Sequence, residues 1–292
     1  MIQFLSQIRK ALVDSIHSFE SIVRVLFLSR FDYQLKNVKP NHSKLLILGN
    51  GPSINNFLSS STSFEGYDLL TVNFFPTSDS FEKIQPRFHC IAAPELWRPG
   101  VMQEYIDMSD QLFGKLAGIV SWPMYLFIPF EAKKYSRWQK PINKNRNITV
   151  VYFNNTPIEG LKRLRYLFFD HGFGMPRPHN ILIPALIVAV QIRYKEIYLA
   201  GVDHSWLGEI SVNDNNEALV CQKHFYDIET ATSKPMNYQG VRHRKLCEIL
   251  HKFYLTFKAY LEIEEYANAR NVKIFNSTEN SFIDAFERKK IN

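Results

Sequence analysis

Apolar positions along this chain follow two rhythms. From Ile2 to Leu26 they recur every three or four residues, through Leu5, Ile8, Leu12, Ile16, Phe19 and Val23, which is the period of one helix face. Arg9, Lys10, Arg24 and Arg30 interrupt the pattern. The longest uncharged apolar run, Val25 to Leu28, is far short of the roughly 18–20 residues a membrane-spanning helix needs. Such a stripe fits a helix lying in a membrane interface or one packed on the rest of the molecule. Both readings stand at this point. A polar, proline-broken connector follows, so residues 1–42 read as an amphipathic helix with its connector and 43–292 as the main domain.

The second rhythm consists of short apolar runs bounded by glycine, asparagine or polar residues. Lys44–Leu48, Leu69–Val72, Phe88–Ala92, Glu196–Ala200 and Val272–Phe275 read as strands. Helical segments alternate with them. One starts at Ile54, and one from Ile181 to Arg193 is apolar nearly all round, with Pro184 in its first turn. A long stripe runs from about Val241 to Arg270, and a short final helix is expected from Ser281 to Phe286. This alternation predicts an α/β fold: a Rossmann-like, mostly parallel sheet with helices on both faces, forming a single nucleotide-binding domain. Residues 95–170 keep the rhythm less well and read as an inserted lid or acceptor wall, with strand candidates at Gly118–Trp122 and Ile148–Phe153.

Composition narrows the function. Of 292 residues, 46% are hydrophobic and 22% charged, so a folded core forms and wholesale disorder is excluded. The net charge of +7 favours anionic ligands. No zinc-finger spacing, RNA-binding aromatic consensus or basic arm accompanies it, which argues against nucleic acid. Cys90, Cys221 and Cys247 are widely spaced and form no C-x-x-C pair, as in reduced cytoplasmic proteins. No Asp-x-Asp pair follows a strand, and there is no H-E-x-x-H or cysteine cluster, so neither a metal nor another cofactor is expected. A serine hydrolase is unsupported, since no G-x-S-x-G elbow is present.

The candidate chemistry gathers at strand ends. Gly49-Asn50-Gly51-Pro52-Ser53 follows the first strand, where glycines let backbone approach a ligand and a helix start offers N–H groups to phosphate. Asn73 ends the second strand. Gly201-Val202-Asp203-His204-Ser205-Trp206 follows the strand at Glu196–Ala200, placing polar groups at the edge where open α/β sheets bind ligands. His224, with Tyr226 and Asp227 close behind, carries the side chain best suited to a general base.

Together, Leu46-Ile-Leu-Gly-Asn-Gly-Pro-Ser53, Thr71-Val-Asn73, Tyr194-Lys-Glu-Ile-Tyr-Leu-Ala-Gly-Val-Asp203 and His224 resemble bacterial sialyltransferases of glycosyltransferase family 42. They also resemble related sialyltransferase-like domains described with a 6-hydroxymethylpterin diphosphokinase-like fold. The likeness covers roughly residues 44–92 and 177–286. It implies a metal-independent transferase for a CMP-activated acidic sugar, sialic-acid-like or Kdo, acting on a bacterial surface glycan such as lipooligosaccharide, O-antigen or capsule. Gly49, Asn50, Gly51, Pro52 and Ser53 would line the donor phosphate and ribose, and Asn73 the nucleotide or sugar. Arg177, Asn180, Gly201, Asp203, Trp206 and Tyr226 would complete the substrate site, and Thr278 and Ser281 would touch the nucleotide.

His224 would be the general base, with His204 as the alternative or as a phosphate contact. The chain departs from the family at Ala93, where an asparagine stands before the proline. It departs again at Pro178, where an arginine opens the buried helix, and over His204–Gly208, where two tyrosines are unmatched. The expected partners are a nucleotide-sugar donor, a glycan acceptor and the inner face of the cytoplasmic membrane, with homo-oligomerisation left open. A pterin diphosphokinase-like phosphotransferase and a non-catalytic nucleotide-binding protein are the competing readings.

Overall fold

The computed structural model describes residues 2–32, 34–60, 63–225, 231–238 and 242–291, without the side chains of 2–4 and 237. Among these, eight strands form one parallel sheet in the order β13-β12-β6-β1-β2-β3-β4-β5. They are β1 (Lys44–Leu48), β2 (Tyr67–Val72), β3 (Phe88–Cys90), β4 (Met124–Pro129), β5 (Ile148–Phe153), β6 (Glu196–Ala200), β12 (Lys273–Asn276) and β13 (Glu287–Arg288). Three short antiparallel strands, β7 (Ile210–Val212), β8 (Ala218–Val220) and β9 (Lys234–Pro235), form a flap, and β10 (Asn237–Tyr238) pairs with β11 (Arg242–His243). A parallel sheet covered on both faces needs strands that are apolar on both sides, and β1 meets that requirement. Leu45 and Ile47 enter one core layer while Leu46 and Leu48 enter the other.

The helices divide accordingly. α2 (Ile54–Ser60), α3 (Ser80–Ile84), α4 (Gln103–Ile119) and α5 (Ser136–Ile142) contribute to one layer; α6 (Lys162–Asp170), α7 (Leu182–Ile192) and α8 (Leu246–Asn268) contribute to the other. α7 is buried on every side, as its uniformly apolar sequence requires. Sheet order reverses between β1 and β6, so the loops after these two strands part at the topological switch point.

Three expectations change. Residues 95–170 are not set apart from the sheet: β4 and β5 extend it past β3 in parallel register. Gly118 lies in α4, which ends where Val120 turns extended (φ −72°, ψ 106°), and the strand begins at Met124, after Pro123. Ser281 to Phe286 forms no helix. The Ser281 hydroxyl donates to the Val202 carbonyl and accepts from the Ile283 N–H, a local alternative to helical bonding.

Helix α1 (Ile2–Leu28) docks with its polar side. Ser21, wholly buried, donates to the Glu159 carbonyl, and Ser18 accepts from the Leu161 N–H. Ser29 bonds Thr156 and the Phe173 carbonyl, and Arg24 pairs with Glu159. Gly160 permits the close approach, since a Cβ there would lie 2.4 Å from the Ser18 backbone nitrogen. The apolar stripe faces outward: Leu12 is 61% exposed, Phe19 69% and Phe27 82%.

Candidate active site

The turn after β1 is locked to the loop after β6. Gly49 N–H donates to the Ala200 carbonyl and Gly51 N–H to the Gly201 carbonyl, each at 2.8 Å. Ser53 donates from its hydroxyl to Asp203 Oδ2 at 2.8 Å and from its backbone N–H to Oδ1 at 3.2 Å. A Cβ on Gly49 would stand 2.4 Å from the Gly201 oxygen, and one on Gly51 would stand 1.9 Å from Asp203 Oδ2. The glycines of the turn therefore admit the neighbouring loop, where the sequence suggested close approach of a ligand. The start of α2 likewise differs from the expected free phosphate cradle, because the Asp203 carboxylate already takes the Ser53 N–H. Burial raises the Asp203 pKa against those hydrogen bonds. Pro52 is half-buried in this turn.

What stays open at this edge is a pair of acceptors. Asn50 donates its side-chain N–H to the Val72 carbonyl at 3.2 Å, which fixes the amide and leaves Oδ1 buried without a partner. Asn73 follows Val72 directly. Its backbone N–H donates to Cys90 O, its φ of 46° turns the chain, and its Oδ1 is also buried and unpaired. Buried polar atoms are usually satisfied, so two orphaned carbonyl oxygens at the ends of adjacent strands mark a place for donor groups. Ribose or sugar hydroxyls and an exocyclic base amine supply such donors; a phosphate does not.

His224 is brought to this turn by its neighbour. Phe225 N–H donates to the Asn50 carbonyl at 2.9 Å, and Asn55 donates to the Phe225 carbonyl at 3.1 Å. The Phe225 ring packs on Phe75 at 5.0 Å. His224 thus sits half-buried one residue from a clamp on Asn50. Tyr226 and Asp227 lie outside the described residues.

Other expected site residues have structural partners. His204 is buried, bonded through Nε2 to the Tyr260 hydroxyl at 2.7 Å, and its pKa falls to about 3 through burial. Neither a proton acceptor near neutral pH nor a phosphate ligand fits that setting. Trp206 packs on Phe253, with ring centroids 4.0 Å apart. Arg177 makes a two-point pair with Glu159, at 3.0 and 2.8 Å, and so belongs to the anchorage of α1. Asn180 Oδ1 accepts from the Leu182 N–H at 2.8 Å, a local turn bond just ahead of α7. Thr278 accepts from the Val202 N–H, and Ser281 holds the Val202 carbonyl; both are buried braces of the loop after β6. Gly201, at φ 70°, turns this loop against Ile54. Among the described residues, no three His, Cys, Asp or Glu side chains gather as a metal site.

No family model matches the chain, and no curated protein matches it. Among solved structures, it is similar to the sialyltransferase CstII from Campylobacter jejuni, in complex with a substrate analogue, cytidine-5'-monophosphate. The TM-score is 0.40 at 13% identity, covering 85% of this chain and 86% of that chain. The site is accordingly read from its own geometry. That geometry adds Asn55, Phe75 and Phe225 to the residues named from sequence. They form the clamp under His224, and no local pattern announces it because its parts are up to 170 residues apart.

Proposed function

We propose that this chain is a glycosyltransferase that takes an acidic sugar from a CMP-activated donor and passes it to a hydroxyl of a bacterial surface glycan. The observation that carries the reading is the pair of orphaned acceptors, Asn50 Oδ1 and Asn73 Oδ1, beside the clamped His224 segment. The carbonyls receive hydroxyl or amine donors of the nucleoside or sugar. In the reaction, the acceptor oxygen bonds to the anomeric carbon as the bond from that carbon to the phosphate oxygen breaks. The acceptor's proton passes to the His224 imidazole, and CMP leaves with the bonding pair. The step as written calls on no metal ion. The test is CMP release from CMP-activated sialic acid or Kdo in the presence of a glycan acceptor. Release that depends on the acceptor supports the reading; nucleotide binding without turnover over a panel of donors would leave a non-catalytic binding protein.

The same proposal places α1 on the inner face of the cytoplasmic membrane. Its hydroxyl-bearing side is bonded to the domain, and its outward row of Leu12, Ile16, Phe19 and Leu26 suits an interface. Arg9, Lys10 and Arg30, all exposed, suit anionic headgroups. No described helix is long and apolar enough to cross a membrane. Flotation with anionic vesicles is the test, and a concentration-dependent dimer that ignores vesicles would assign the row to a second copy.

A further inference from the structure

Next to Asn73 the sheet buries a polar pair that glycosyl transfer does not use. Side chains alternate between the faces of β2 and β3. Leu70, Val72, Phe88 and Cys90 enter one core layer, and Leu69 enters the other. Thr71 and His89 stand opposite each other in register and so turn into that other layer. Both are wholly buried, and the Thr71 hydroxyl is bonded to His89 Nδ1 at 2.8 Å. The imidazole meets the Phe81 ring edge-on at 5.7 Å, and its Nε2 is buried without a hydrogen bond.

Packing does not account for this pair. Burial holds the His89 pKa down to about 3, against the backbones of Asn73 and Thr71, which favour the charged ring. The neutral ring has one donor and one acceptor nitrogen. In either tautomer Nε2 goes unsatisfied, which costs stability. Valine and leucine would fill the same space without that cost. What a buried polar pair supplies here instead is a fixed geometry, and the part it fixes is the end of β2. Asn73 has a left-handed φ of 46°, a conformation that a residue other than glycine keeps only where its surroundings hold it. Asn73 N–H donates to the Cys90 carbonyl at 2.9 Å, and Asn50 donates to the Val72 carbonyl at 3.2 Å. The Thr71–His89 bond ties the two strands one residue before Val72 and Cys90.

We propose that His89 is a positioning residue for the nucleotide site: through Thr71 and the Asn73 backbone it fixes the turn that leaves Asn73 Oδ1 open to a ligand. It touches no substrate itself. The inference rests on the reading that Asn73 receives the nucleoside or sugar of a CMP-activated donor.

The test compares the full chain with a variant carrying both Thr71→Val and His89→Leu, following melting temperature and CMP affinity. The apolar pair should melt at or above the parent yet bind CMP roughly tenfold or more weakly. In an Asn73→Gly background the same pair should change CMP affinity by less than about twofold, because the residue it positions is gone. Unchanged CMP binding in the double variant, or an equal loss in both backgrounds, overturns the assignment. Thr71→Val alone, which cuts the bond and keeps the ring, is the second variant. It should also weaken CMP in the parent and not in Asn73→Gly, and it decides the matter if the double variant does not fold. A parent that binds no CMP contradicts the nucleotide reading, and the positioning is then read from the Asn73 side-chain amide resonances, assigned by their loss in Asn73→Gly. One sharp set in the parent that broadens or splits in either variant supports it; one sharp set throughout overturns it.

Discussion

Gly51→Ala probes the lock between the two loops at the switch point. The new Cβ would lie 1.9 Å from Asp203 Oδ2, 2.7 Å from its Cγ and 2.8 Å from the Gly201 oxygen, so the carboxylate must move. Moving it breaks the bonds from the Ser53 hydroxyl and N–H. Hydrogen bonds to a charged group contribute about 1.5–3 kcal/mol each, and the burial that raises the Asp203 pKa argues for the low end. A loss of about 3 kcal/mol follows. Unfolding entropy near ~2.1 cal/mol/K per residue gives about 0.6 kcal/mol/K for a chain of 292 residues, hence a drop of about 5 °C.

Scanning calorimetry reads this directly, with Gly114→Ala as control. Gly114 lies within α4 and has open space at its Cβ, so alanine there should be neutral or stabilising. In an Asp203→Ala background, Gly51→Ala should cost much less, leaving only the Gly201 contact. An unchanged melting point for Gly51→Ala, or an equal cost in both backgrounds, would refute the lock.

Three further outcomes are expected. His224→Ala should lower turnover ~10²–10⁴-fold with donor affinity retained, the range for losing a general base; stopped-flow release of CMP measures it, and full activity removes His224 from the mechanism. His204, whose folded pKa is depressed to about 3 from 6.5, contributes stability that is complete above about pH 6.5 and is lost as pH falls toward 3, by at most about 1.4 kcal/mol per unit. The stability difference between parent and His204→Gln, from urea midpoints, should fall along that line; a flat difference refutes a buried neutral imidazole. Glu159, held down to about 2 first by Arg177 and also by Arg24, stabilises above pH 4.5 and ceases to as pH falls toward 2. Because it is partly exposed and screened, about 1 kcal/mol is expected. Glu159→Gln should speed amide exchange over residues 18–29 alone, and unchanged exchange there would show that α1 is held by its serines.

The sheet was legible where strands are buried on both faces. Lys44–Leu48 and Glu196–Ala200 appear in sequence with the bounds they have in the fold, because each is a short apolar run closed by glycine. β5 also has its expected bounds, Ile148–Phe153, whereas β4 was harder to read. The apolar residues of α4 run on into Val120 and blur its end, and aromatic side chains replace the usual aliphatic pattern. The polar docking face of α1 was hidden for a different reason: periodicity shows which residues share a face and not which face is covered. Serines that bond backbone 138 or more residues away decide that. At the site, the strand-end residues were visible as turn chemistry. Their division into braces (Asp203, Thr278, Ser281) and open acceptors (Asn50, Asn73) depends on partners from distant loops. The same holds for His204, whose burial comes from Tyr260 on α8.

The central claim is that Asn50 and Asn73 receive the nucleoside or sugar of a CMP-activated donor. Titration calorimetry of CMP, UDP, GDP and ADP against the parent and Asn73→Gly tests it most directly. Glycine keeps the positive φ at position 73 and removes only the amide. The account predicts that CMP is preferred and that Asn73→Gly binds it at least tenfold more weakly, with an unchanged melting temperature. Preference for a purine nucleotide, or CMP bound by Asn73→Gly as tightly as by the parent, would contradict it.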